Sequence, residues 1–130
     1  MTFQITAFYA AILAIMMIAL STWVTLLRAR LKISILHGDS LPLAERIRMH
    51  GNFIETVPMA IIIMGLAEAG GTSPMVLNTM GLMLVAGRIL HPMGLRHDKP
   101  ATFARIAGGS LTTLATLVGV FLILSSAMQA

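Results

Sequence analysis

The 130-residue sequence contains no cysteine, and only 11% of its residues are charged. Without cysteine the chain can form no disulfide, offers no thiolate metal ligand and has no thiol nucleophile of its own. Soluble domains carry about 25% charged residues, and a chain this short that is 57% hydrophobic has more apolar surface than it could bury in water. The composition therefore excludes an ordinary soluble domain and predicts an all-α integral membrane protein.

The polar residues disfavour both a nucleic-acid-binding protein and a metalloprotein. The net charge of +4 does not indicate a nucleic-acid partner, because the nine basic residues are set among long apolar runs. The four histidines have no His-x-x-Glu-His or similar spacing, so we expect no metal site. The basic residues are better interpreted as a signal of membrane topology, with lipid as the surrounding solvent.

Charged residues are absent from residues 1–27, and Arg28, Arg30 and Lys32 follow at once. A cleaved signal peptide carries its positive charge before a shorter apolar core, whereas this stretch is long enough to cross a bilayer, which takes about 20 residues. We therefore expect a permanent first helix. The apolar runs predict one domain, residues 1–130, folded as a four-helix bundle with helices at about 3–30, 42–69, 74–97 and 102–128.

The basic residues predict the orientation of the bundle. The loop at residues 70–74 contains none, and neither does either terminus. All nine fall at the opposite ends of the helices: Arg28, Arg30, Lys32, Arg46, Arg48, Arg88, Arg96, Lys99 and Arg105. By the positive-inside rule this side is cytoplasmic, so the N- and C-termini are predicted on the non-cytoplasmic side.

One face of the second helix is polar. Arg48, Asn52 and Glu55 are spaced i, i+4, i+7, within a sector about 60° wide, and Glu45 extends this stripe by one turn. Arg48 alone is typical of an interfacial residue that reaches lipid phosphate, and Asn52 alone of an interhelical hydrogen bond. An acid inside a span costs on the order of 2–3 kcal/mol, so Glu55 indicates either a structural pair with Arg48 or, as we favour, a functional site.

Three further polar residues belong to the same end. Arg88 and His91 are i, i+3 neighbours on the third helix, Pro92 leaves the Arg88 carbonyl without its helical donor, and Arg105 begins the fourth helix. Arg105 could equally be a solvated interfacial arginine. Together the arginines of this cluster outnumber its single buried acid. Because arginine forks bind carboxylates through paired hydrogen bonds, we expect an anionic ligand that also carries amides and an amine.

The fourth helix has a face of small residues. They recur at i, i+4, i+8, i+11 and i+15: Ala104, Gly108, Thr112, Ala115 and Gly119. In membranes such a stripe lets helix backbones approach. It indicates either packing inside the bundle, which we favour, or a seam between subunits.

The segment Arg48-x-x-x-Asn52-x-x-Glu55-x-x-Pro58 resembles the second-helix signature of the MAPEG family, the membrane-associated proteins in eicosanoid and glutathione metabolism. The resemblance extends over nearly the whole chain in length, in the number of helices and in the placement of the termini. It implies a bacterial-type member that assembles as a homotrimer in the inner membrane.

Two further elements of the family recur in order. Arg88-x-x-His91 is similar to the family's Arg-x-x-Tyr/His element on the third helix, and Arg105 stands where the family has an arginine thought to activate a thiol. The family binds glutathione between subunits. The resemblance implies that glutathione is held by Arg48, Asn52, Glu55, Arg88 and His91, with either Arg28 or Arg30 contributed by a neighbouring subunit.

The resemblance implies a glutathione-dependent membrane transferase or peroxidase. Its thiolate would be stabilised by Arg105, and its lipophilic electrophile or lipid hydroperoxide would enter from the bilayer. The third helix has no tyrosine, since the only one is Tyr9, so tyrosine-assisted thiol activation is not expected. The alternative is a non-catalytic protein that binds a lipid or amphiphile in the same cleft. A transporter is disfavoured, because nothing ionisable lies between Glu68, at the opposite interface, and Arg88.

Overall fold

The computed structural model describes residues 3–128, and this part of the chain forms four α-helices and no β-strand. The helices are α1 (Gln4–Leu31), α2 (Leu41–Ala69), α3 (Pro74–Met93) and α4 (Phe103–Ala127). Three of them, α1, α2 and α4, are long and apolar enough to cross a membrane. The predicted all-α membrane bundle is confirmed. The chain ends themselves, residues 1–2 and 129–130, lie outside the described part, and the side on which the termini lie stays a prediction.

The third helix is shorter than the sequence predicted. It ends at Met93 rather than at about residue 97. Pro92 has no N–H to donate to the carbonyl of Arg88, and the N–H of Gly94 closes the last turn by donating to the carbonyls of Leu90 and His91. A Cβ at Gly94 would collide with the backbone at the start of α4. The chain therefore has to leave the helix here to let α4 begin against it.

The four helices form a bundle in which α2 and α3 occupy the middle. In the described part of the chain, α1 packs against α2 and α3, α4 packs against the same two helices, and α1 does not contact α4. The core is apolar and draws on all four helices: Tyr9, Leu13, Phe53, Val57, Ala60, Met64, Ala67, Leu77, Met80, Leu84 and Ala115. The central position of α3 explains why it tolerates Arg88 and His91, since both are buried against protein rather than exposed to lipid.

The small-residue stripe of α4 packs inside the bundle, as favoured from the sequence. Gly108, Thr112, Ala115 and Gly119 are the buried residues of this helix. At Gly108 the backbones of α3 and α4 meet, because a Cβ there would lie 2.5 Å from the backbone nitrogen of His91. Since these four residues are covered within one chain, they are not available as a seam between subunits, and Ala104, the first member of the stripe, is half-buried.

The two ends of the bundle are different. At one end the carboxylate of Glu68 accepts hydrogen bonds from the N–H groups of Ile5 at 3.0 Å and Thr6 at 2.8 Å. It thereby caps α1, whose own N-terminal residue supplies no side-chain cap. The helix directions place all nine basic residues at the other end, where Arg46 stacks 4.2 Å from the ring centroid of Trp23. We call this the basic end.

Candidate functional site

A groove of about 750 Å³ opens at the basic end, between the loop after α1 and the first half of α2. Its lining residues are Leu36, His37, Gly38, Asp39, Ala44, Ile47, Arg48, Gly51 and Glu55. Ser40 starts α2 by accepting a hydrogen bond from the N–H of Leu43 at 3.3 Å, and Pro42 suits the first turn. Arg48 and Glu55 line the groove about two and four turns after this start.

Arg28 and Arg30, which the sequence left as alternatives, are placed differently. The Nη1 of Arg28 donates to the carbonyl of Leu36 at 2.7 Å and so holds the loop that forms the outer wall of the groove. Arg30 is exposed at the end of α1. Within one chain, Arg28 therefore supports the groove, and Arg30 is not among its lining residues.

Arg48 and Glu55 form a two-pronged ion pair on the wall of the groove. Nη1 donates to Oε1 and Nη2 to Oε2, both at 2.9 Å. The side chains are 56% and 52% exposed, so a ligand can reach both groups. A molecule that carries both a carboxylate and an ammonium group can take the place of this pair, with its carboxylate on Arg48 and its ammonium on Glu55. The guanidinium fork binds any carboxylate in the same geometry.

Asn52 belongs to the predicted stripe but faces the interior. Its Oδ1 accepts from Nη1 of Arg88 at 2.9 Å, and the hydroxyl of Thr56 accepts from the same nitrogen at 3.0 Å. On a helix, Asn52 lies about 40° from Arg48 towards α3, whereas Glu55 lies about 20° to the other side. The stripe is therefore split between the groove and the core. Thr56 was missed from the sequence, although it lies at i+4 from Asn52 and on the same side.

Arg88 lies inside the bundle and is only 2% exposed. From α3 it reaches Asn52 and Thr56 on α2, and its Nη2 makes a long contact of 3.5 Å with the carbonyl of Gly108 on α4. It therefore connects the three helices and fixes the orientation of Asn52.

His91 and Arg105 do not line the groove within one chain. His91 is buried where α3 meets α4, with Gly109 next to its ring. Arg105 is half-buried, and its Nη1 donates to the carbonyl of Pro100 at 2.9 Å. Thr102 caps α4 by accepting from the N–H of Arg105 at 3.2 Å. One chain thus brings Arg48 and Glu55 together in the groove, but not His91 or Arg105.

Glu45, the outer member of the stripe, ties α2 to the loop between α3 and α4. It accepts from the backbone N–H of His97 at 2.7 Å and lies 2.7 Å from Nδ1 of the same residue. A carboxylate oxygen of Glu45, a ring nitrogen of His97 and a carboxylate oxygen of Asp98 lie within 4.8 Å of one another. Asp98 also pairs with Arg96 at 3.0 Å, and that hydrogen bond holds the pKa of Asp98 below its usual range. These contacts close the loop against α2.

Comparisons with known proteins agree with a membrane protein of this fold. The model of the MAPEG family matches residues 6–125. The chain is 32% identical over 94 residues to the Inner membrane protein YecN of Escherichia coli strain K12, a match that covers 72% of each chain. The same identity and coverage hold for the Inner membrane protein YecN of Escherichia coli O6:H1. No solved structure matches this chain. The family match covers most of the chain, and the protein belongs to the MAPEG family.

Proposed function

We propose that this protein is a glutathione-dependent membrane transferase or peroxidase that acts on lipophilic electrophiles or lipid hydroperoxides. The proposal depends chiefly on the exposed Arg48–Glu55 fork on the wall of the 750 Å³ groove. Glutathione carries two carboxylates, two amides and one amine, so it offers a partner to each side of this ion pair. Membership of the MAPEG family supports this choice of ligand.

We extend the inner-membrane location of the Escherichia coli relatives to this chain. The basic end then faces the cytoplasm, where the positive-inside rule puts it, and both termini lie on the other side. This orientation opens the groove to cytoplasmic glutathione. The lipophilic substrate reaches the site sideways from the bilayer.

A homotrimer would complete the site. Arg105, near the start of α4, is not among the residues that line the groove within one chain. A neighbouring subunit packed at the basic end can supply the missing arginine. Of the two arginines that end α1, the exposed Arg30 is the better candidate for reaching a neighbour's ligand, because Arg28 is bound to its own loop.

In this proposal Arg105 supplies the chemistry. The thiolate, not the thiol, is the nucleophile, and a cation within ~4–6 Å lowers a thiol pKa by about 1–3 units. Arg105 would exchange the carbonyl of Pro100, which it now contacts at an exposed position, for the thiolate. Arg48 and Glu55 bind the peptide, while Arg88 keeps Asn52 oriented beside them and His91 packs α3 against α4.

The test is thermal unfolding of the purified protein with and without millimolar glutathione. A ligand at about 100 times its Kd stabilises the folded state by about 2.7 kcal/mol, so the midpoint should rise. Arg48→Gln should abolish the rise. Lys99→Gln removes the same charge from an exposed position at the same end, outside the groove, and should keep it. No rise in the wild-type protein, with a known glutathione-binding protein as positive control, would refute the proposal.

The second candidate is a non-catalytic protein that binds a lipid or amphiphile in the same cleft. It is favoured by one observation, that Arg105 is engaged by its own loop rather than directed at the groove. Conjugation of a chlorinated dinitrobenzene and reduction of a lipid hydroperoxide distinguish the two. A glutathione-dependent rise in the unfolding midpoint without either reaction would support binding alone.

A further inference from the structure

The position of the buried Arg88 guanidinium depends on two acceptors of α2. Its Nη1 makes both short hydrogen bonds, at 2.9 Å to Oδ1 of Asn52 and at 3.0 Å to the hydroxyl of Thr56. Nη1 carries two N–H groups, so these two acceptors satisfy it completely. The contact of Nη2 with Gly108 is long, at 3.5 Å, and Nε has no partner in the described part of the chain. The hydroxyl of Thr56 is therefore half of what holds the guanidinium.

The proton of the Thr56 hydroxyl is already used within α2. The hydroxyl donates to the backbone carbonyl of Asn52, four residues earlier, at 2.8 Å. Because a hydroxyl has a single proton, its oxygen can face Arg88 only as an acceptor. A threonine bonded back to the i−4 carbonyl is also fixed against its own helix. Thr56 thus offers Arg88 an acceptor at a defined position.

The same contacts decide which end of the Asn52 amide is left for a ligand. Arginine has only donors, so the amide oxygen faces Nη1 of Arg88 and the NH2 group is directed to the other side. Within residues 3–128, the enclosed side-chain atoms without a hydrogen-bond partner are Oγ1 of Thr6 and Nε of Arg88. Nδ2 of Asn52 is not one of them, and Asn52 is only half-buried. The group of Asn52 that remains accessible is therefore a donor.

We propose that Thr56 is a positioning residue of the glutathione site, because its hydroxyl holds Arg88 and thereby turns the NH2 group of Asn52 towards the ligand. The inference rests on the proposed function, in which Asn52 lies beside Arg48 and Glu55. Without the hydroxyl, one N–H of Nη1 would be buried without an acceptor, which is costly. The guanidinium would shift to another acceptor and the amide would turn with it. A carbonyl or carboxylate oxygen of the ligand would then lose its donor.

A set of variants separates the hydroxyl from the space that the side chain fills. Thr56→Val removes the hydroxyl and keeps the branched shape, and Thr56→Ala removes it with less volume. Thr56→Ser keeps the hydroxyl. Thr116→Val is the matched control, because Thr116 is also half-buried in a helix and donates to the i−4 carbonyl at 2.9 Å. In the described part of the chain it is not an acceptor of Arg88.

The first measurement needs no glutathione. The sequence has two asparagines, Asn52 and Asn78, so selective labelling of asparagine with a heavy nitrogen isotope gives two side-chain NH2 signals in an NMR spectrum. Asn52→Ser removes one signal and so assigns both. Thr56→Val and Thr56→Ala should shift or broaden the Asn52 signal and leave that of Asn78 in place. Thr116→Val should leave both in place. An unchanged Asn52 signal in the variants without the hydroxyl would overturn the proposal.

The second measurement is glutathione affinity, taken from the rise of each variant's own unfolding midpoint with glutathione concentration. Thr56→Val and Thr56→Ala should weaken it about tenfold or more, as expected for the loss of a hydrogen bond to a charged group. Thr56→Ser and Thr116→Val should bind as the wild type does. Unchanged affinity in Thr56→Val, or an equal loss in Thr56→Ser, would refute the positioning role. If the wild-type protein binds no glutathione, the proposed function fails, and the NMR result still decides whether Thr56 orients Asn52.

Discussion

The contact between α3 and α4 can be tested with two adjacent glycines. A Cβ on Gly108 would lie 2.5 Å from the backbone nitrogen of His91 and 2.7 Å from the carbonyl oxygen of Gly87. Ordinary Cβ contacts begin at 3.4 Å, so the nearest atom would have to retreat by about 0.9 Å. Because the atoms in the way belong to the backbone, no side-chain rotation relieves the clash. Gly108→Ala therefore has to push the two helices apart.

The expected magnitude follows from two opposing terms. Overpacking of a tight core costs about 1–3 kcal/mol, and rigid backbone neighbours put Gly108→Ala in the upper half of this range. Alanine in a helix interior recovers about 1 kcal/mol relative to glycine. The net loss of unfolding free energy for Gly108→Ala is thus about 1–2 kcal/mol. Gly109→Ala meets only the ring of His91, at 3.9 Å, and should gain up to about 1 kcal/mol.

The assay is thermal unfolding of both variants and the wild-type protein in the same detergent. Gly108→Ala should unfold several degrees below the wild type, and Gly109→Ala at or above it. The two substitutions add the same methyl group at neighbouring positions of one helix, so composition and helix propensity cancel in the comparison. If the two midpoints coincide, or if Gly108→Ala is the more stable, the close backbone contact between α3 and α4 does not exist in solution.

Three other predictions concern the caps and the site. Glu68→Ala removes the acceptors from the first turn of α1, should cost about 1 kcal/mol, and should speed amide hydrogen exchange in that turn; unchanged exchange would contradict the capping role. Glu45→Ala releases the loop at residues 94–102 and should speed its tryptic cleavage, with equal cleavage rates arguing that other contacts hold it. Arg105→Ala should lower turnover more than the glutathione-dependent rise in unfolding midpoint, and Glu55→Ala should do the reverse; the opposite pattern would exchange their roles.

The helices could be predicted because their signals are local. Uncharged runs of membrane length and the turn residues between them define α1, α2 and α4 almost to the residue. The end of α3 was predicted too late, because what stops it is the close approach of α4 at Gly94. That contact joins residues on different helices and leaves no periodic trace in the sequence.

The site could be predicted only in part. Spacing correctly placed Arg48, Asn52 and Glu55 on one side of α2, but a sector of about 60° is wide enough to face two neighbours. Which side of the sector faces α3 depends on how α2 is rotated, and this depends on packing with the other helices. For the same reason the sequence could not tell that Arg88 is buried, since an interfacial arginine and a core arginine have the same local pattern.

The cap that Glu68 places on α1 has a consequence for biogenesis. The two amides that it satisfies precede it by 63 and 62 residues. When α1 leaves the ribosome, no side chain of its own caps its N-terminus. The helices that it packs against, α2 and α3, are synthesised later. The smallest piece of the nascent chain in which the start of α1 is capped by protein is therefore the hairpin that runs through the end of α2. A chain truncated on the N-terminal side of Glu68 would insert α1 without the carboxylate that caps its first turn.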